Sequence, residues 1–385
     1  MDKLNMNTYK QEAVQLQLST FEGSGGTIEY HALLSLTNPS LSFEEQVKVL
    51  QKAYTEMLAQ KLKKGTVPVF RRFFLSDAAN QAELIMQQER ENTFCALSIV
   101  QQPPMNGTKV ALWIYLVSEA EVHAHSPVHY EVSHNGYRHL WLGGLSNKAA
   151  NSEFQTRLLF NNYIVQLAEQ QCTLLANCIR TWLFVQNVDV NYAGVVKARR
   201  EVFLTQDLTE STHYIASTGI EGRNADPAVH VQMDAYSVGG ILPEQIQLLY
   251  APTHLNPTYE YGVTFERGVA VTYGDRKQVY ISGTASIDNQ GEIVYAGNIL
   301  KQTGRMIENI EVLLQEAGAT LGDITQSIVY LRDPADYTSV HAYLQKKYPG
   351  LPYLIVLAPV CRPGWLIEME CIAITGGGDT AFNPF

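Results

Sequence analysis

Several features that would point to common functions are missing from this 385-residue sequence. No Lys/Arg-rich run occurs, and 28 basic residues against 38 acidic ones leave a formal net charge of −10. Nucleic-acid binding needs a basic face, so a broad phosphate-binding surface is excluded and any anion site must be local. The longest apolar run, around Leu351 to Val360, is about half the length that crosses a bilayer. The opening MDKLNMNTYKQ has no apolar signal core. Cysteine is sparse: Cys95, Cys172, Cys178, Cys361 and Cys371 are odd in number and form no CxxC pair. That removes the usual zinc and dithiol frameworks and predicts free thiols in a soluble, cytoplasmic protein. Gly239-Gly240 followed by Ile241-Leu242-Pro243 fits neither GxGxxG nor GKS and reads as a turn, not a nucleotide loop. The segment VHAHSPVHYEVSHNGYRH holds His123, His125, His129, His134 and His139, but no carboxylate or Cys completes a recognisable metal set, and it reads as an exposed connection.

What is present is a pattern that comes back three times. A β-rich run, a turn opened by Asp or Asn, and a helix recur in PVFRRFFLSDAANQAEL, CIRTWLFVQNVDVNYAGV and SIVYLRDPADYTSV. Asp77, Asn187 and Asp333 align, each placed to cap exposed helix N–H groups, with Pro334 suited to a first helical position. Upstream of each lies a longer amphipathic helix, the last with Ile307, Ile310, Leu313 and Leu314 at helical spacing. Strands precede these helices in IEYHALLSLT, RHLWLGGLSN and QVYISGTASID, and two more follow each short helix. The expected fold is α+β, with the order β-β-α-β-α-β-β repeated over 1–120, 125–240 and 257–376. Residues 241–256 read as a linker and 377–385, GGDTAFNPF, as a loose tail.

The third repeat resembles the reactive-intermediate deaminase (Rid, YjgF-like) family through VYISGTASID, QTGRMIENIEVLLQEAGATLGDI, VYLRD and RPGWLIEMECIAI. Members of that family are trimers with ligand clefts between subunits. A closer resemblance is to the chorismatases, single chains that look like a fused Rid trimer; the matching stretches are HYIASTGIEGR, PTYEYGVTFERG, SGTASI and CRPGWLIEME. This resemblance implies a pseudo-trimeric monomer that releases pyruvate from chorismate without metal or organic cofactor. The other product would be 3-hydroxybenzoate, another hydroxybenzoate or a dihydroxycyclohexadiene carboxylate.

The resemblance implies Arg362 as a carboxylate anchor and Glu368 as the acid of the final strand. Set between Ile367 and Met369, Glu368 is expected to be desolvated with a raised pKa, as protonation of an enol ether requires. Glu370, on the same strand face, competes for that role, and Glu368 could instead be a structural carboxylate paired with Arg362. Only the third repeat combines Arg and Glu here, so a single surviving site is expected. A dicarboxylate needs a second anchor, and Arg223 and Arg267 are the candidates. Cys361 resembles the residue of the 3-hydroxybenzoate-forming subtype, and the adjacent guanidinium could favour its thiolate. Tyr214 and Tyr261 are candidate ring contacts, and the small residues Gly283, Thr284 and Ala285 allow a ligand to approach the backbone. An imine or enamine deaminase, or a metabolite-binding protein without catalysis, are the alternatives.

Overall fold

The computed structural model describes residues 3–11, 13–92 and 94–385. Three mixed six-stranded sheets account for the chain, each with helices on one face. In the first sheet the spatial order is Lys3–Gln11, Val14–Glu22, Ile28–Leu36, Val110–Val117, Val67–Leu75, Ala96–Gln101. The third repeats that order with Ile246–Leu249, Gly268–Thr272, Lys277–Ala285, Ile367–Thr375, Ile324–Leu331 and Leu354–Leu357. The middle sheet contains the same arrangement, from Glu121–Ser126 through Tyr137–Ser146 and Val231–Gly239 to Cys178–Val185 and Ala216–Glu221.

Each repeat has one strand more before its first helix than the pattern suggests. Two of these fall outside the expected strands. Ile246–Leu249, inside the stretch read as linker, pairs with Gly268–Thr272. The histidine-rich segment is a hairpin, Glu121–Ser126 against His129–His134, and not an exposed connection. His129 is buried there, while His125 bonds Glu131 at 2.8 Å.

The long helices Phe43–Gln60, Ser152–Glu169 and Ile299–Glu316 lie where periodicity puts them. In the last, Ile307, Ile310, Leu313 and Leu314 are all buried. The shared capping expectation holds only at Asp333, whose carboxylate accepts from the Ala335 N–H. Asn187 is left-handed, with φ 51°, and makes no side-chain cap. Its helix is capped instead by Glu221, which accepts from the N–H groups of Asn187 (3.0 Å) and Val188 (2.6 Å). At Ala78 the acceptor is Gln101, also at the end of the neighbouring parallel strand.

The sheet faces opposite the helices meet in a common core. Phe70, Trp141, Tyr236 and Tyr280, drawn from all three repeats, follow one another at centroid distances of 5.0, 4.5 and 5.4 Å. Through it runs a buried charge network. Arg72 of the first repeat bonds Asp234 of the second at 2.8 Å and faces Glu370 of the third at 3.6 Å. Glu370 also accepts from Arg180 (2.9 Å) and from the Trp182 indole (2.8 Å). The residues 377–385 are not loose. The Phe385 ring is buried against His134 and Tyr273, its N–H donates to Asp275, and Asn135 donates to its carbonyl. Burial of one aromatic ring between two repeats fixes the segment.

Arg72→Met would leave Asp234 buried without its cation. Urea denaturation should show a loss of about 3–5 kcal/mol, whereas exposed Arg223→Met should change stability by under about 0.5 kcal/mol.

Candidate active site

The stretch 361–370 joins a loop to the final strand Ile367–Thr375, which is central in its sheet and buried through Ile374. Glu368 therefore enters the core opposite Ala285 on one side and Tyr330 on the other. Space for its carboxyl comes from the neighbouring strand, which bulges between Ile281 and Thr284. A Cβ on Gly283 would stand 2.2 Å from Glu368 Oε1, so only glycine leaves the carboxyl in place. Behind it, the Gly283 N–H donates to Thr218 (2.9 Å) and the Ser217 N–H to Ser282 (2.9 Å), seating the middle repeat against the third. Arg180 donates to both Thr218 and Ser282, so the charge network reaches the back of this wall.

In front of Glu368 lies a cavity of about 460 Å³. Cys361, Arg362, Trp365, Gly283, Ala285 and Arg267 line it from the third repeat. The opposite wall is the helix Val188–Leu204 of the middle repeat, with Tyr192, Lys197, Arg199 and Arg200. Arg267 is anchored by the carbonyl (3.0 Å) and side-chain oxygen (3.1 Å) of Asn256 and lies over Phe265. Arg362 lies over the Trp365 ring at 5.0 Å. Arg199 is buried; its Nε donates to Thr264, and its Nη2 makes no hydrogen bond among the described residues. Glu201, the other acid on the cavity wall, is engaged with Arg157.

Burial, reinforced by the nearby Glu370 and partly offset by Arg180 and Arg267, pushes the Glu368 carboxyl up to about 8. It is a neutral acid at pH 7. Glu370, expected as its competitor, is committed to Arg180 and Trp182. Burial likewise pushes the Cys361 thiol up to about 12, with Glu368 adding to the effect and Arg362 opposing it more weakly. The thiolate anticipated from the adjacent guanidinium is therefore overruled by desolvation, and Cys361 presents a neutral thiol.

Three expected contacts fall elsewhere. Arg223 is half exposed, paired with Glu221 at 3.4 Å and bridged through its backbone to Gln101, at the junction of the first and middle repeats. Tyr214 lines a smaller cavity, about 220 Å³, behind Arg267. The Thr284 hydroxyl donates to the Ser282 carbonyl and is buried in the strand. The side chain of Tyr261 lies outside those described. The helix wall was missed because Lys197-Ala198-Arg199-Arg200 has the look of a solvated helical face; the signal was three cations within four residues.

Among the described residues, no group of three or more His, Cys, Asp or Glu is arranged to hold a metal ion. No helix is long and apolar enough to cross a membrane among them.

If Glu368 is neutral when folded, its raised pKa disfavours the native state increasingly as pH rises from 4.5, its ordinary value, to about 8. Glu368→Gln removes that dependence. Its stability advantage over the parent should be near zero at acid pH and grow by up to about 1.4 kcal/mol per pH unit across that window. A pH-independent difference in chemical denaturation would contradict a raised pKa.

A family model described as Endoribonuclease L-PSP matches residues 267–375. A RutC family protein of Pyrococcus abyssi is 39% identical over 98 residues, covering 25% of this chain and 76% of that protein. The 3-aminoacrylate deaminase RutC of Acinetobacter baylyi is 32% identical over 98 residues, covering 25% of this chain and 77% of its own. The crystal structure of a chorismatase is similar over 80% of this chain and 93% of that one, with a TM-score of 0.63 and 14% identity, a likeness of fold. The chain thus belongs to the RutC family by its C-terminal third, and over most of its length it carries the fold of a chorismatase.

Proposed function

We propose that the protein is a cytoplasmic, monomeric chorismatase that cleaves the enolpyruvyl ether of chorismate to pyruvate and 3-hydroxybenzoate. The observation that carries this reading is a buried carboxyl, Glu368, facing a cavity walled by Arg362, Arg267 and Arg199, where burial raises its pKa to about 8. A dianionic substrate matches several guanidinium groups, whose planar forks suit carboxylates. Vinyl-ether cleavage needs an acid strong enough to protonate carbon yet still protonated at neutral pH.

Glu368 gives its proton to the methylene carbon of the enolpyruvyl group, and the positive charge passes to the ether carbon and oxygen. The Glu368 carboxylate then accepts a proton as a nucleophile captures that centre. Capture by water consumes one water and yields pyruvate with a dihydroxycyclohexadiene carboxylate. Capture by the ring hydroxyl closes a cyclic ketal. Loss of a ring C–H proton with cleavage of one ring C–O bond then aromatises the ring, and the remaining hemiketal breaks its bond to the ring oxygen, giving pyruvate and a hydroxybenzoate with no net water. Cys361 lines the cavity beside Arg362 as an uncharged thiol, and its resemblance to the 3-hydroxybenzoate subtype favours the second course.

A second reading, imine or enamine deamination, is favoured by the identity to 3-aminoacrylate deaminase RutC, which is confined to about a quarter of the chain. It needs one carboxylate anchor and makes no use of the cations on the middle-repeat helix.

Pure protein given chorismate should release pyruvate stoichiometrically, and Glu368→Ala should lower kcat by about 10²–10⁴-fold. Ammonia released from an enamine substrate, with no pyruvate from chorismate, would select the second reading. The rate should fall tenfold per pH unit above about 8 as Glu368 ionises. Gly283→Ala should lower kcat comparably, because its methyl group takes the carboxyl's place. Mass spectrometry of the products of Cys361→Ala should show the hydroxybenzoate giving way to the dihydroxycyclohexadiene carboxylate; an unchanged product would remove Cys361 from product control.

A further inference from the structure

The three junctions between repeats have had different fates, and strand register allows them to be compared. Glu368 pairs with Tyr330, three residues before Asp333. At the matching positions Ala111 pairs with Phe74, three before Asp77, and Gln232 with Phe184, three before Asn187. Between the first and middle repeats the junction is packed shut. A Cβ on Gly143 would lie 2.7 Å from the Leu97 backbone, and the Gln232 amide is spent on Ser98 (3.3 Å) and the Ile99 carbonyl (3.2 Å). Between the third and first repeats it is open, with a cavity of about 750 Å³ whose wall includes Ala111 where the other open cleft has Glu368.

We propose that this cleft is a second small-molecule site, selective for an uncharged, hydroxylated aromatic ring. Its chemistry is the reverse of the first. Among the described residues no Asp, Glu or Arg lines it, and Lys10, exposed at its edge, is the one lysine. Instead the helix Tyr337–Lys347 presents a flat aromatic wall, with Tyr337 and His341 stacked at 5.4 Å and 13°. Tyr353 stands edge-on to His341 and bonds its Nδ1 at 3.1 Å. Burial holds His341 below its ordinary value, so that wall is neutral at pH 7. A reciprocal amide pair, Gln17 to the Tyr353 carbonyl (2.9 Å) and the Tyr353 N–H to Gln17 (3.0 Å), fixes the floor. Ser19, also on the wall, is buried with a hydroxyl that makes no hydrogen bond among the described residues. Ring faces, amides and hydroxyls without fixed charge select a neutral aromatic with its own hydroxyls and disfavour a dicarboxylate. Where a junction between repeats holds nothing, as at Gly143, the two sides close on each other; this one has kept a polar, aromatic cavity of ligand size.

The test is calorimetric titration with methyl gallate, a neutral trihydroxylated ring. The intact protein and Arg362→Ala, altered only in the first cleft, should bind it equally, with one site. Tyr337→Ala, which removes the stacking wall, and Gln345→Trp, which fills the mouth from a surface position, should each weaken binding by at least about tenfold, 1.4 kcal/mol. Isophthalate, a dicarboxylate, should bind with an affinity that these two variants leave unchanged. Absence of methyl gallate binding at about 1 mM, or binding lost in Arg362→Ala and kept in Tyr337→Ala, would overturn the proposal. Neither readout depends on pyruvate release, so the second site stands or falls separately from the chorismatase reading.

Discussion

The position of one buried carboxylate, Glu370, governs much of the molecule. Arg180 and Trp182 reach it from the middle repeat, and Arg72, itself held by Asp234, faces it from the first. A charge so far from water is tolerable only with its partners in place, so the three sheets can meet in one register only. The same contact sets the final strand along its length. Glu368, two residues before Glu370 and on the same face, is thereby fixed relative to the middle repeat. Arg180 extends the link through Thr218 and Ser282 to the bulge at Gly283. The site thus inherits its geometry from the contact that assembles the repeats, and Glu370 lends Glu368 part of its raised pKa.

Much of this was legible because it is periodic or local. The long helices carry clear apolar stripes, and the strands before them are short β-rich runs bounded by turns. The extra strand of each repeat was not legible, for a different reason in each. Lys3–Gln11 is a polar edge strand, Glu121–Ser126 is dominated by partly exposed polar side chains, and Ile246–Leu249 has four residues only. The helix caps failed for a physical reason too: at Val188 and Ala78 the acceptors, Glu221 and Gln101, come from the neighbouring strand and not from the residue just before the helix.

The site divides in the same way. Glu368, Cys361, Arg362 and Gly283 belong to adjacent strands and their loop, so a short quoted segment already contains most of them. Arg199 and Arg200 enter from another repeat, and nothing local distinguishes their helix from a solvated one. Arg223 was expected as a second anchor and Tyr214 as a ring contact, but the junctions between repeats are not equivalent. The first is occupied by direct backbone packing against Gly143, and Tyr214 faces the far side of Arg267.

The inequality of Ala111, Gln232 and Glu368 has a consequence for copy number. A carboxyl raised from 4.5 to about 8 withholds about 3 kcal/mol from folding at pH 7. Three copies would withhold about 10 kcal/mol in all, about 3 kcal/mol from each repeat against a stability margin of about 5–15 kcal/mol for a folded domain. A symmetric homotrimer encodes every residue three times and cannot avoid that multiplication. With the repeats written separately in one chain, the reactive group is present once, and the other two positions are free to hold a methyl group and a structural amide.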